Sequence, residues 1–254
     1  MLIIDGDRVA YNAGWAMNKE EHPALFMVDN IMENIMNIYD DYIYKLYLTS
    51  RDYSNFRYHV AKTKEYKGTR KFKEKPIWLK EIRIYMMNRY GALEVFGKEA
   101  DDQICIELYK FYKKNKVDSV IAISDDKDLR QCPGKHGDFK GNIILVDDNI
   151  GNLELVKTTG KYPRKKLKGT GSKFFYAQVI TGDVCDEYPG MPKKGDVKAY
   201  EILNECATEL ELYQRTLAAF EGNEELMDEM ATLAYMLREE DDSWMRRKAK
   251  VLGI

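Results

Sequence analysis

The sequence predicts an α/β fold, with a mainly parallel central sheet and flanking helices. Two observations carry this. Short apolar runs at 2–5, 44–50, 93–96 and 119–124 have the length of buried strands. The intervals between them carry helical periodicity. Alternating strand and helix is what parallel pairing requires, because parallel neighbours need a crossover.

Taken in order, "LIID" (2–5) is an apolar strand that ends in Asp5. From Pro23 to Tyr44, Phe26, Ile31, Ile35 and Ile38 recur at helical steps. "YKLYLTS" (44–50) and "FRYHV" (56–60) read as strands. A polar, basic stretch fills 61–75, and Pro76 suits the first turn of a helix running to Tyr90. "LEVF" (93–96) is a strand, and from Ala100 the residues Ile104, Leu108 and Phe111 mark a helix face. "SVIAIS" (119–124) has almost no polar interior, as strands covered on both faces do. "GNIILVDD" (141–148) adds a strand that 150–157 extends as a hairpin. Candidate helices follow at 172–181, 195–206, 208–220, 224–238 and 241–251. The composition shift near 160 divides an α/β domain, 1–160, from a helical lobe, 161–254.

With 254 residues, 44% of them hydrophobic and 32% charged, the chain can bury a sizeable core. No apolar run reaches membrane-spanning length, and "MLIIDGD" lacks the basic start and cleavage site of a secretory signal. Cys105, Cys132, Cys185 and Cys206 are scattered, so free thiols in a reducing, cytoplasmic setting are expected. The net charge of −2 hides an uneven distribution. Between Arg57 and Lys75 eight Lys/Arg stand against two acids, and between Lys161 and Lys173 six stand against none. Any one such run reads as solvated surface. Several of them beside acidic knots suit a protein that holds a polyanion.

The acids gather as Asp5/Asp7, Glu99–Asp102, Asp125–Asp128 and Asp183–Asp186. The first three knots follow predicted strands, and ligand sites of open α/β sheets lie beyond the carboxyl ends of the strands. Taken alone, each knot is also what helix capping and the helix dipole favour, at about 0.3–1 kcal/mol per acid. Taken together, so many carboxylates at one sheet edge need cations, and oxygen donors suit Mg²⁺ or Mn²⁺. In "TGDVCDEYPGMPKKGDVKAYEIL" (181–203), Asp183 and Asp186 share a face if that turn is helical. Pro189 and Gly190 break the chain and Gly195 precedes another helix, a hairpin that offers backbone N–H groups to phosphate. An ordinary turn between two helices has the same spacing. Lys67 and Arg70 in "EYKGTRKFKEKP" (65–76) read either as an exposed loop or as a clamp on a phosphodiester.

Five separated motifs, "DGD", "YKGTR", "EADD", "SDDKDLRQ" and "GDVCDEYPG", stand in the order found in the 5′-nucleases. From Leu2 to about Phe220 the chain resembles this family of flap endonucleases and 5′→3′ exonucleases, phage exonucleases above all. It is also similar to the N-terminal nuclease domain of bacterial DNA polymerase I. The resemblance implies a PIN-like 5′-nuclease fold, an arch within 61–90 and a helix-hairpin-helix motif at 172–206. It implies structure-selective hydrolysis of DNA at a 5′ end, flap or nick, extending to RNA of RNA–DNA hybrids, with two divalent ions. Asp5, Glu99 and Asp101 would hold the first ion with Asp126 nearby, and Asp102, Asp128, Asp183 and Asp186 would build the second side. Lys67 and Arg70 would reach the scissile phosphate. Lys71, Lys73, Gly190, Lys193, Lys194, Gly195 and Lys198 would contact DNA.

Two departures stand out. The family has another Asp after the strand near 46–49; here the register offers Ser50 or Asp52, and "DYSNFR" favours Asp52 as a ligand. The family hairpin reads G-x-G and binds a monovalent ion such as K⁺ in relatives, whereas Lys193 stands at its first glycine. A phage origin, with the host cytoplasm as location, belongs to the same resemblance. The C-terminal "SWMRRKAKVLGI" either docks a replication protein or caps a helix. The length leaves no room for a polymerase region, so a stand-alone nuclease is expected. Two other classes remain. A Mg²⁺-dependent D-x-D phosphatase fits "IIDGDRVAY" but not "YKGTR". A non-catalytic DNA-structure binder would have lost several of these acids.

Overall fold

The computed structural model describes residues 1–17, 21–146, 150–159 and 162–254. In chain order the elements are β1 (Leu2–Asp5), α1 (Gly6–Ala16), α2 (Glu21–Tyr39), β2 (Tyr44–Thr49), α3 (Arg57–Val60), α4 (Leu79–Tyr90), β3 (Leu93–Val95), α5 (Ala100–Lys113) and β4 (Ile121–Ile123). Then come β5 (Gly134–Gly137), β6 (Ile143–Val146), β7 (Leu153–Lys157), β8 (Lys165–Gly169), α6 (Gly171–Thr181), α7 (Asp196–Leu203), α8 (Glu209–Ala219), α9 (Glu224–Ala234) and α10 (Trp244–Leu252). They form two compact units from interleaved segments. The first is Met1–Asn55, Thr69–Leu129 and Gly134–Leu145; the second is Phe56–Gly68, Arg130–Pro133 and Val146–Ile254.

The first unit holds the expected sheet, six strands in the order β3-β2-β1-β4-β5-β6. β1 pairs in parallel with β2 and β4, β2 with β3, and β4 with β5. Leu2, Ile3 and Ile4 are fully buried, as an inner strand requires. Leu2 and Ile4 share a cluster with Val9, Ala13, Val28, Met32, Leu46, Leu48, Ile82 and Met86, from α1, α2, β2 and α4. Two elements had no sequence signal. α1 contains Gly6 and Gly14, poor helix formers, yet a Cβ on Gly6 would lie 2.5 Å from the Tyr47 carbonyl oxygen. The close approach of helix and strand decides that residue. β5, "GKHG", lacks apolar residues because Gly134 leaves room for Leu108: a Cβ there would meet Leu108 Cγ at 2.5 Å.

The second unit corrects two expectations. Residues 56–60 form the short helix α3, not a strand. Arg57 is fully buried and donates to the carbonyls of Leu233 (3.0 Å) and Tyr235 (2.6 Å), which outweighs the local alternation. Residues 150–157 do not extend a hairpin from 141–148. Instead β7 pairs antiparallel with β8, inside a stretch that reads as a solvated basic run. Only Leu167 and Gly169 of β8 are buried, too few to show a period of two. Parts of the two affected segments, 147–149 and 160–161, lie outside the described residues. The expected C-terminal helices appear as α6 to α10, around a cluster of Phe175, Tyr176, Tyr213, Tyr235 and Trp244. Cys185 and Cys206 are free thiols, but Cys105 and Cys132 are disulfide-bonded, which corrects the expectation for those two. Among the described residues no helix is long and apolar enough to cross a membrane.

Candidate active site

In the first unit the acids sit where the strands end. Asp5 closes β1 and caps α1, accepting from the Arg8 N–H at 3.0 Å. Ser124, just beyond β4, donates to Asp5 Oδ2 at 2.6 Å. The same hydroxyl oxygen accepts from the Asp126 N–H (3.0 Å), and Asp126 Oδ1 accepts from the Asp128 N–H (2.9 Å). One chain of hydrogen bonds therefore orders Asp5, Asp126 and Asp128. Burial above all, then the charges of Asp7 and Asp126, push the Asp5 carboxyl up to about 7, against the Ser124 and Arg8 bonds.

Glu99, Asp101 and Asp102 open α5. Glu99 and Asp102 form a reciprocal capping box, with the Glu99 N–H donating to Asp102 Oδ2 at 3.0 Å. Thr49 Oγ1, at the end of β2, accepts from the Ala100 N–H at 2.9 Å. Sequence reasoning missed the support beneath. Arg83 of α4 donates to Asp7 (2.6 Å), the Thr49 carbonyl (2.6 Å) and Glu94 (3.0 Å), and the Thr49 N–H donates to Asp7 at 2.9 Å. The one available signal was Asp7, the second acid of "DGD". Asp52 is exposed, and the Ser54 hydroxyl together with the Ser54 N–H, which donates at 3.0 Å, holds its carboxyl below the usual range. Arg70, Lys71 and Lys73 are exposed, on and just beyond a 3₁₀ turn, Gly68–Phe72.

The second unit joins Lys67 to Asp186. Lys67 Nζ lies 3.4 Å from Asp186 Oδ1 and 4.9 Å from the centre of the Tyr66 ring. The Tyr66 hydroxyl donates to Asp186 Oδ2 at 3.0 Å, and the Lys67 N–H to the Asp186 carbonyl at 3.1 Å. Lys67 adopts φ 53°, which non-glycine residues occupy at a cost of about 1–3 kcal/mol. Asp183 and Asp186 are not on a helix: Asp183 Oδ1 accepts from the Cys185 and Asp186 N–H groups, and Asp183 bridges to Tyr188. Gly182 and Gly190 meet backbone to backbone, where a Cβ on Gly190 would lie 2.3 Å from the Gly182 nitrogen. Lys193 holds φ 63°, Gly195 caps α7, and Lys198 pairs with Glu201.

No family model matches the chain. It is 26% identical over 225 residues to a 5′-3′ exonuclease of Buchnera aphidicola subsp. Schizaphis graminum, covering 84% of this chain and 72% of that protein. It is 27% identical over 263 residues to DNA polymerase I of Lactococcus lactis subsp. cremoris, covering 93% of this chain and 28% of the polymerase. The chain is thus similar in sequence to a 5′-3′ exonuclease and to part of DNA polymerase I. The 5′-exonuclease of bacteriophage T5 with zinc bound shares the fold at a TM-score of 0.63 and 17% identity, over 92% of this chain and 88% of that one. A T5 flap endonuclease with DNA and metal ions superposes at 0.55 and 16% identity, over 99% and 97%.

Among the described residues no three His, Cys, Asp or Glu side chains are gathered closely enough to hold an ion as they stand. The chemistry of these side chains nevertheless fits a hard divalent cation. The donors are all carboxylates, and the ionised form of Asp5 is disfavoured by burial first and then by the charges of Asp7 and Asp126.

Proposed function

We propose that this exonuclease relative is a metal-dependent 5′-nuclease that hydrolyses DNA at 5′ ends, flaps or nicks, and the RNA of RNA–DNA hybrids. The buried Asp5, tied through Ser124 to Asp126 and Asp128 at the carboxyl ends of β1 and β4, carries this reading. In the first unit Asp5, Glu99, Asp101, Asp102, Asp126 and Asp128 would hold Mg²⁺ or Mn²⁺. Two such ions, when bound, would lower the pKa of a water and would stabilise charge on the attacking and leaving oxygens. Ser124 fixes the Asp5 carboxylate, and the Glu99–Asp102 box fixes the first turn of α5. Lys67 and Arg70 would offset charge growing on the non-bridging phosphate oxygens. Lys193, Lys194, Gly195 and Lys198 would grip the duplex backbone.

A phosphatase opening on D-x-D would use Asp7 as its second acid; the bonds from Arg83 and Thr49 to Asp7 argue against that. Cleavage of end-labelled flap, nicked and blunt duplexes, with and without Mg²⁺, is the test. Asp101→Asn and Asp128→Asn should each abolish cleavage and leave the circular dichroism spectrum intact. Near-normal cleavage by both variants, or hydrolysis of p-nitrophenyl phosphate instead of DNA, would overturn the reading.

A further inference from the structure

The basic run between Lys161 and Lys173 is not used by any site described above. Lys173 donates to the Asn204 carbonyl at 2.6 Å, which accounts for it. Arg164, Lys165, Lys166 and Lys168 are exposed, on β8 or next to it. On β7, Lys157 stands directly opposite Lys165. Like charges at such positions destabilise a sheet unless an anion lies between them. Among the described residues none of these five cations has an ion pair. Elsewhere in the same unit Lys62, Lys64, Lys67, Lys198, Arg247 and Lys248 are all paired. One exposed acid, Glu154, faces the ribbon, opposite Lys168.

The ribbon is anchored beside the hairpin. Asp196, the first residue of α7, accepts from the Leu167 N–H at 2.9 Å, and Lys193 and Lys194 lie just before it in the chain. Lys166 and Lys168, two residues apart, share one side of β8. A strand advances about 3.4 Å per residue, and one strand of B-DNA advances about 3.4 Å per phosphate. Such cations can keep step with a phosphate backbone.

We propose that the β7–β8 ribbon is a second contact for the sugar-phosphate backbone of duplex nucleic acid, continuing the grip of the 190–195 hairpin. This rests on the nuclease reading only for the choice of duplex, and binding is measured without metal so that the two can fail separately. The experiment is fluorescence anisotropy of a labelled duplex in EDTA, across a salt series, with the full chain. Replacing Lys165, Lys166 and Lys168 together by Ala should weaken binding about tenfold or more. It should also reduce the slope of log K against log salt by roughly 2–3, since each phosphate contact contributes about 0.9. The same three positions changed to Arg should keep the slope, and Glu154→Lys should tighten binding. Unchanged affinity and slope in the Ala variant would overturn the proposal. So would a wild-type chain that ignores duplex but binds phosphatidylserine vesicles through these lysines. Loss of Mg²⁺-dependent cleavage with duplex binding intact would leave the ribbon standing and remove only the nuclease reading.

Discussion

A lysine at φ 63° occupies a conformation that glycine adopts freely, and Lys193 does so on the hairpin before α7. Lys193→Gly should therefore stabilise the fold by about 0.5–1 kcal/mol, a rise of a few degrees in Tm, while weakening duplex binding. A variant no more stable than wild type would mean that the lysine side chain makes up the difference. Asp5 gives the second prediction at this scale. Its carboxyl is raised from 3.8 to about 7, so between those values the folded chain keeps a proton that the unfolded chain has lost. Metal-free stability must then fall as pH rises from about 4 to 7, by up to about 4 kcal/mol. Asp5→Asn should flatten that slope, and Mg²⁺ should stabilise wild type more at pH 8 than at pH 6. Urea melts in EDTA at several pH values check the sign. Residues of this kind were legible because charge is visible in sequence. Ser124 was not, since a serine after a strand looks neutral until its hydroxyl is seen on Asp5.

At the scale of elements, α4 is fixed by one side chain. The Arg83 guanidinium is nearly buried and bonds Asp7, Thr49 and Glu94, at the start of α1, the end of β2 and the middle of β3. Thr49 in turn holds the first turn of α5. Arg83→Met should cost about 2–3 kcal/mol, less than a fully buried pair, because Asp7 keeps some exposure. In a double-mutant cycle with Asp7→Asn, the pair should couple by about 1–2 kcal/mol. Additive losses would mean that the two residues act separately. The helix itself was legible from Pro76 onwards, but not the inward turn of Arg83, because local periodicity carries no tertiary charge pairing. Strands β1, β2, β3 and β4 were legible for the opposite reason: their apolar runs are the burial signal. β5 and β8 were not, because glycines beside Leu108 in one and lysines on the ribbon in the other leave no apolar alternation to read.

At the scale of the whole molecule, chain order and spatial order part company. The second unit takes 56–68 and 130–133 from within the N-terminal half. Arg57 is fully buried, and its two carbonyl acceptors are Leu233 and Tyr235. Gln131 bonds the Gln178 side chain and the Ala234 carbonyl. A chain cut after residue 160, where the composition shifts, would keep Arg57 and Gln131 and lose every one of these partners. Stranding a buried cation costs about 3–5 kcal/mol, to be set against a total stability of about 5–15 kcal/mol for a typical domain. The apolar surface of 56–68 would lose its cover as well. Residues 1–160 alone should therefore lack a cooperative thermal transition, whereas Arg57→Met in the full chain, which removes the cation along with its bonds, should still fold. A sharp transition in the fragment, followed by circular dichroism, would show that the N-terminal carboxylates need nothing from the C-terminal half to hold their arrangement.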